Sequence, residues 1–189
     1  MILNNKEFII CKDQYRFGFE KINIENMKDT IKKKKKGSFI ILDEEIYIKQ
    51  YDTTKISEIK TIINDKIKKE FNSDNYLIHF CIDNKEKKTF IYAIKGGDRL
   101  MPFLDYLNKI KVTPIQFLIL KNIRRNIKKR NFKALIEIKD KHYYIEVKNN
   151  IIIKNVLFSI DEKIIEEKDI IKGKFDYPFK YKNLIIEEV

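Results

Sequence analysis

The sequence predicts a mixed α/β fold, on three observations. Between Phe132 and Phe158 apolar and polar residues alternate through three successive runs, the period-two signature of half-buried strands. Between Ile56 and Phe71 the apolar residues Ile56, Ile59, Ile63, Ile67 and Phe71 fall at helical spacing instead, with Lys, Glu and Asp on the other face. Only 5 Gly and 3 Pro occur in 189 residues, too few for a linker-rich chain, while 43% hydrophobic residues suffice for a buried core.

In chain order, Glu7 to Cys11 reads as a short strand. Tyr15 to Ile22 returns beside it, since Phe17 and Phe19 alternate with Arg16, Gly18 and Glu20. Ile24, Met27 and Ile31 then take helical spacing; the run Lys32 to Lys36 suits the negative end of the helix dipole, and Gly37 closes it. Ser38 to Leu42 and Glu45 to Lys49 read as a hairpin about Asp43-Glu44. After the helix ending at Phe71 come two strands, Tyr76 to Ile82 and Thr89 to Ile94. Gly96-Gly97-Asp98 turns into a helix through Leu100, Phe103, Leu104, Leu107 and Ile110, where Pro102 is tolerable only in the first turn. Val112 to Phe117 is either a strand or a helix start capped by Thr113, with Pro114 and Gln116 behind it. In both cases Ile119, Leu120, Ile123 and Ile127 carry a helix to about Lys129.

The alternating region follows. Ala134, Ile136 and Ile138 share one face; after a turn at Asp140-Lys141, Tyr143, Ile145 and Val147 share another. Asn149-Asn150 tolerates the left-handed angles of a tight hairpin, and Ile151 to Phe158 returns. Ser159 with Glu162 makes a capping box for a short helix ending near Gly173, and Leu184 to Ile186 is a strand. No internal repeat is visible in the side-chain pattern. The expected division is a first lobe over residues 1–130. Residues 131–189, carrying the three-stranded meander, a short helix and a tail, pack upon it.

The formal charge of +12, from 40 Lys+Arg against 28 Asp+Glu, raises the case for an anionic partner. Lys, Ile and Asn are abundant along the whole chain, however, so a Lys-rich solvated surface accounts for the same excess. Five cations gather on the exposed side of one helix and just beyond it: Lys121, Arg124, Arg125, Lys128 and Arg130. No run of about 18 apolar residues occurs, and the first residues lack the apolar stretch of a signal peptide, so a cytoplasmic protein with reduced Cys11 and Cys81 is expected.

Little in the chain points to catalysis. The two histidines, His79 and His142, lie in separate strands; Cys81 is two residues from His79, but nothing else joins them as a metal site would require. Gly-x-Ser-x-Gly, Cys-x-x-Cys and Walker-type signatures are absent. Gly96-Gly97 could bring backbone N–H groups to a phosphate, although such a pair is ordinarily only a turn. Asp43-Glu44-Glu45 and Glu166-Glu167 read as solvated carboxylates in turns or on polar helix faces. The expectation is that the chain is not an enzyme, with no catalytic, cofactor or metal residue to name.

The stretch from Lys88 to Phe158 resembles the middle of the PilM-type actin-like proteins of type IV pilus assembly, and is similar to the cytoplasmic domain of GspL-type type II secretion proteins. The residues that carry the resemblance are Phe90-Ile91-Tyr92-Ala93-Ile94, the helix through Leu104-Asp105-Tyr106-Leu107, and Ile110-Lys111-Val112-Thr113-Pro114. Lys133-Ala134-Leu135-Ile136-Glu137-Ile138 follows, then the hairpins from Lys148-Asn149-Asn150-Ile151 to Val156-Leu157-Phe158-Ser159. With Ser38 to Phe71 upstream, it covers roughly residues 38–160 and rests on pattern. It implies an actin-like ATPase, ribonuclease H-like α/β fold with a truncated second lobe.

Two departures imply that ATP binding is lost. Actin-like proteins hold ATP between two hairpins, each with an Asp and a Gly at its tip, the Gly leaving backbone N–H groups free to reach phosphate. Here the first hairpin is Ile10-Cys11-Lys12-Asp13-Gln14, without Gly, and the second is Glu137-Ile138-Lys139-Asp140-Lys141. The resemblance then implies a non-catalytic cytosolic scaffold at the inner face of the cell membrane. Such a scaffold docks a bitopic PilN-like tail or the assembly ATPase. A basic surface would suit the anionic leaflet, at about 1 kcal/mol per well-placed cation. The rival is a basic nucleic-acid-binding protein, with Phe132 and Tyr143-Tyr144 as stacking surfaces beside the cationic helix.

Overall fold

The computed structural model describes residues 7–18, 20–34, 36–71, 75–159, 169–175 and 184–188. Strands β1 (Phe8–Ile10), β2 (Tyr15–Phe17) and β3 (Glu20–Ile22) form an antiparallel meander. Helix α1 (Ile24–Lys34) then crosses over, so that β4 (Lys36–Ile41) lies parallel to β1. Asn23 opens α1, its side-chain oxygen accepting the Asn26 N–H at 2.8 Å, and Met27 and Ile31 bury the inner face. Gly37 does not close this helix as expected. It lies within β4, where an added Cβ would sit 2.4 Å from the Phe39 ring.

The hairpin expected about Asp43-Glu44 is not formed, because the two strands belong to different sheets. β5 (Ile46–Tyr51) leaves β4 and joins β6 (Tyr76–Asp83) and β7 (Lys88–Lys95) in a three-stranded antiparallel sheet, ordered β5-β7-β6. Helix α2 (Ile56–Ile62), a π-helical turn (Ile63–Ile67) and α3 (Lys68–Glu70) lie between β5 and β6. Ile67 and Phe71 bury Ile91 and Ala93 on the outer face of this sheet, while Phe90, Tyr92 and Ile94 on its inner face join the main core. Ile56, the first residue of the expected apolar stripe, is 46% exposed.

The helix expected from Leu100 to Ile110 is a single turn, α4 (Met101–Leu104), and residues from Lys109 become β8 (Lys109–Pro114), parallel to β4. Pairing with the open edge of β4 outweighs the local helical spacing, as tertiary context commonly does. β8 ends at Pro114, whose ψ of 146° fits a strand, and α5 (Ile115–Ile127) begins directly after it. Thr113 therefore pairs in the strand opposite Ile40 and is not the helix cap. Lys128 ends α5 in the left-handed region, at φ 59°.

β9 (Phe132–Ile138), β10 (Lys141–Lys148) and β11 (Ile151–Ser159) form the expected meander, with Asn149 and Asn150 both left-handed in its tight turn. β12 (Ile170–Phe175) lies parallel to β9 on the other side, and β13 (Leu184–Glu188) runs antiparallel to β12. Gly173 is thus a strand residue between β9 and β13 rather than a helix end. The helix expected from Ser159 and Glu162 falls on residues 160–168, outside the described residues, as do Glu166 and Glu167.

The two five-stranded sheets, ordered β3-β2-β1-β4-β8 and β11-β10-β9-β12-β13, share a plan: a meander whose first strand takes a parallel fourth strand beside it. The chain has this mixed α/β plan twice, although no side-chain repeat betrays it. The copies differ in the fifth strand, parallel in β8 and antiparallel in β13. One hydrophobic core runs through both, from Phe8, Ile10, Phe39 and Ile41 to Ala134, Ile136, Tyr143 and Ile145.

Candidate functional site

The segment between β4 and β5 is fastened to its surroundings at every residue. The Asp43 N–H donates to Tyr143 Oη at 3.0 Å, and Lys141 Nζ lies 3.5 Å from the Asp43 carboxylate. Glu44 pairs with Arg99 at 2.6 Å, both side chains being largely buried, and its carbonyl accepts from Gln116 Nε2 at 2.7 Å. Glu45 Oε1 accepts the Leu157 N–H at 3.2 Å. Asn155 then exchanges two hydrogen bonds with the Ile46 backbone, at 2.9 and 2.5 Å, so one side chain imitates a strand partner. Asp43 and Glu44 are accordingly structural groups, not the solvated carboxylates that the sequence suggested.

Both hairpins expected to flank a nucleotide are present, with the departures read from sequence. The first closes through Cys11 N–H to Gln14 O at 2.9 Å, leaving Lys12 and Asp13 at the exposed tip. In the second, Lys139 occupies the left-handed position, at φ 56°, that glycine would take more readily. The Gly96 and Gly97 N–H groups both donate to the Asn75 carbonyl at 3.0 Å, so they are not available to a phosphate.

An apolar groove lies between two sheet edges. β6 is an outer strand of the three-stranded sheet and β8 an outer strand of the first five-stranded sheet. Leu77, Ile78, His79 and Ile94 on one side face Val112, Thr113, Pro114 and Phe117 on the other, across a groove of about 400 Å³. From Tyr76 to Ile82 β6 carries no Lys, Arg, Asp, Glu or Pro, the residues that usually guard an edge against another strand.

The groove's one titratable wall is neutral. His79 stacks near Tyr92, with ring centroids 6.1 Å apart, and meets Phe117 edge-on at 5.7 Å. One side of the ring is open to water, yet desolvation against these rings lowers its pKa. Nε2 lies 3.7 Å from Cys81 Sγ, and burial raises the pKa of that thiol. Cys81 is therefore held as the unreactive thiol rather than the thiolate. Among the described residues no three His, Cys, Asp or Glu side chains gather as a metal site.

Of the five cations singled out from sequence, the structure aligns four. Lys121, Arg124, Arg125 and Lys128 follow three- and four-residue steps along α5 and are exposed, the last at its C-terminal cap. Arg130 lies apart, beyond the helix, beside Asp83 and Asn149. Phe117 and Leu120 with Lys121, Arg124 and Arg125 line a second depression of about 370 Å³, which shares Phe117 with the groove. The rings proposed to stack on bases cannot do so: Phe132, Tyr143 and Tyr144 are 8%, 1% and 2% exposed. Sequence reasoning missed the groove altogether, because its walls come from strands that are neighbours only in the fold.

No family model matches the sequence, and no curated protein does. Solved structures similar to the chain include a Bacteroides thetaiotaomicron protein with actin-like ATPase fold and unknown function. Its TM-score is 0.43 at 9% identity, over 82% of this chain and 70% of that one. Another is a PilM-PilN type IV pilus biogenesis complex, with a TM-score of 0.48 at 8% identity, over 65% of this chain. The chain spans 42% of the length of the matched chain in that complex.

Proposed function

We propose that the chain is a non-catalytic scaffold of a type IV pilus or type II secretion inner-membrane platform. In this role it takes an extended apolar segment from the cytoplasmic tail of a bitopic partner. The observation that carries the docking role is the groove between β6 and β8. Each edge strand offers unpaired backbone N–H and C=O groups, so an extended segment gains main-chain hydrogen bonds, while alternate side chains enter the apolar trough. The machine is named by the sequence resemblance alone. Loss of nucleotide chemistry is supported by Lys139 at the second hairpin tip, and by Asp43 just beyond β4, whose N–H is held by Tyr143 of the other five-stranded sheet.

The test uses synthetic peptides covering the cytoplasmic tails of bitopic membrane proteins encoded beside this chain, titrated by calorimetry. The expected result is binding by one tail that is lost in Thr113→Arg, which places a charge in the groove, with no heat on adding Mg-ATP. Failure of every tail to bind would end the docking proposal. Saturable Mg-ATP binding would restore a nucleotide-driven function.

A further inference from the structure

The groove does not end in neutral surface. Phe117, in the first turns of α5, is a wall of the groove and also the first residue of the basic depression. One turn further along the same helix stand Leu120 and Lys121, and two turns further Arg124 and Arg125. The ridge that closes the groove therefore leads straight into three cations. Among the described residues no carboxylate forms an ion pair with Arg124 or Arg125. The Glu7 carboxyl, directly before β1, feels Lys121 as well as Lys111 and accepts from the Ser38 hydroxyl. At the other wall the groove offers Leu77, Ile78, His79 and Ile94, none of which carries a charge that could compete.

We propose that the occupant of this site is a two-part peptide: an extended apolar stretch in the groove between β6 and β8, followed at one end by a short acidic cluster seated over Lys121, Arg124 and Arg125. This rests on the docking role above and adds to it the polarity and chemistry of the partner. The apolar part supplies strand pairing and burial, which a peptide can gain in either a parallel or an antiparallel sense. The acidic part fixes which end of the peptide lies over α5, because reversal would carry its carboxylates away from Arg124 and Arg125. Being exposed at the rim, the charge contacts govern register and encounter rate more than total affinity, and they weaken with salt while the apolar contacts do not.

The experiment is a selection from a random peptide library displayed on phage, panned against the full chain and in parallel against Thr113→Arg and against the double variant Arg124→Ala/Arg125→Ala. Both arginines are exposed positions of a helix, where alanine is well tolerated. The expected outcome is enrichment of peptides with apolar residues at alternate positions and Asp or Glu grouped at one end, all lost in Thr113→Arg. The leading peptide should bind the double variant about tenfold more weakly and respond to added salt. Its amide counterpart, with Asn and Gln for the acids, should bind both proteins alike. Groove-dependent peptides without an acidic end, or with acids indifferent to the arginine substitutions, would overturn the two-part occupant and leave groove docking standing. No peptide sensitive to Thr113→Arg would end groove docking itself. Acidic peptides that survive Thr113→Arg but not the double variant would show that the basic depression acts alone, which also overturns the proposal.

Discussion

Tyr143 on β10 accepts the backbone N–H of Asp43, a hundred residues earlier in the chain, at 3.0 Å through an otherwise fully buried phenol. The bond joins the end of β4 in one five-stranded sheet to the middle of the other. Burial pushes the phenol pKa well above its ordinary value, so it stays a neutral hydroxyl at any physiological pH. Tyr143→Phe keeps the ring packing and strands the Asp43 N–H. A loss of about 1–3 kcal/mol is expected, measured by urea unfolding. A change below about 0.5 kcal/mol would mean that water replaces the hydroxyl and that this junction is not dry.

Glu7 makes stability depend on pH. Burial raises its pKa from 4.5 to about 7, against the opposing effects of the Ser38 hydroxyl and the Lys111 and Lys121 cations, and Oε2 has no partner among the described residues. The folded chain thus holds this proton more tightly than the unfolded one. The contribution of Glu7 to folding is fully present below pH 4.5 and is lost as pH rises to about 7. For a wholly dry carboxyl the shift would correspond to about 3 kcal/mol; with water reaching part of the group, about 1–2 kcal/mol is expected. Glu7→Gln should therefore flatten the stability profile between those pH values and raise stability at pH 8. A variant no more stable than the parent at pH 8 would show that Glu7 is hydrated when ionised.

Lys128 closes α5 in the left-handed region, with its N–H donating to the Arg124 carbonyl at 3.2 Å. Glycine takes that conformation without the Cβ penalty. Lys128→Gly should raise the unfolding free energy by about 0.5–1 kcal/mol, read from the shift in denaturation midpoint. A loss would indicate that the lysine side chain makes a contact worth more than the strain.

Gly173 tests the packing of β12 against β13. In β12 an added Cβ would lie 2.5 Å from the Ile185 carbonyl and 3.3 Å from Ile136 Cδ1. Gly173→Ala should cost about 1–3 kcal/mol as overpacking. At a helix stop, which its sequence suggests, alanine would cost only the smaller penalty of a left-handed cap, about 1 kcal/mol. A loss below about 0.5 kcal/mol, read from thermal stability, would overturn the close approach of β13.

Much of the secondary structure was legible because it is written in short-range periodicity. The alternation from Phe132 to Phe158 specified three strands, and the left-handed tolerance of Asn149 and Asn150 placed their turn. The failures share a cause. Gly37, Leu107 to Ile110 and Gly173 each carry a local signal, a helix stop or a helical face, that strand pairing with a distant segment overrides. Asp43 and Glu44 looked solvated because nothing nearby in sequence announces Tyr143 or Arg99.

By itself the sequence determined the fold class, the meander, the missing glycines at both hairpin tips and the run of cations along α5, since each depends on residues within a turn or two of one another. Only the tertiary structure decided that the first five-stranded sheet and the meander's sheet repeat one plan. It also decided that Arg130 parts from the other four cations, and that β6 and β8 face each other across an apolar groove. Strand pairing and edge exposure join residues tens of positions apart, and that relation has no signature in local spacing.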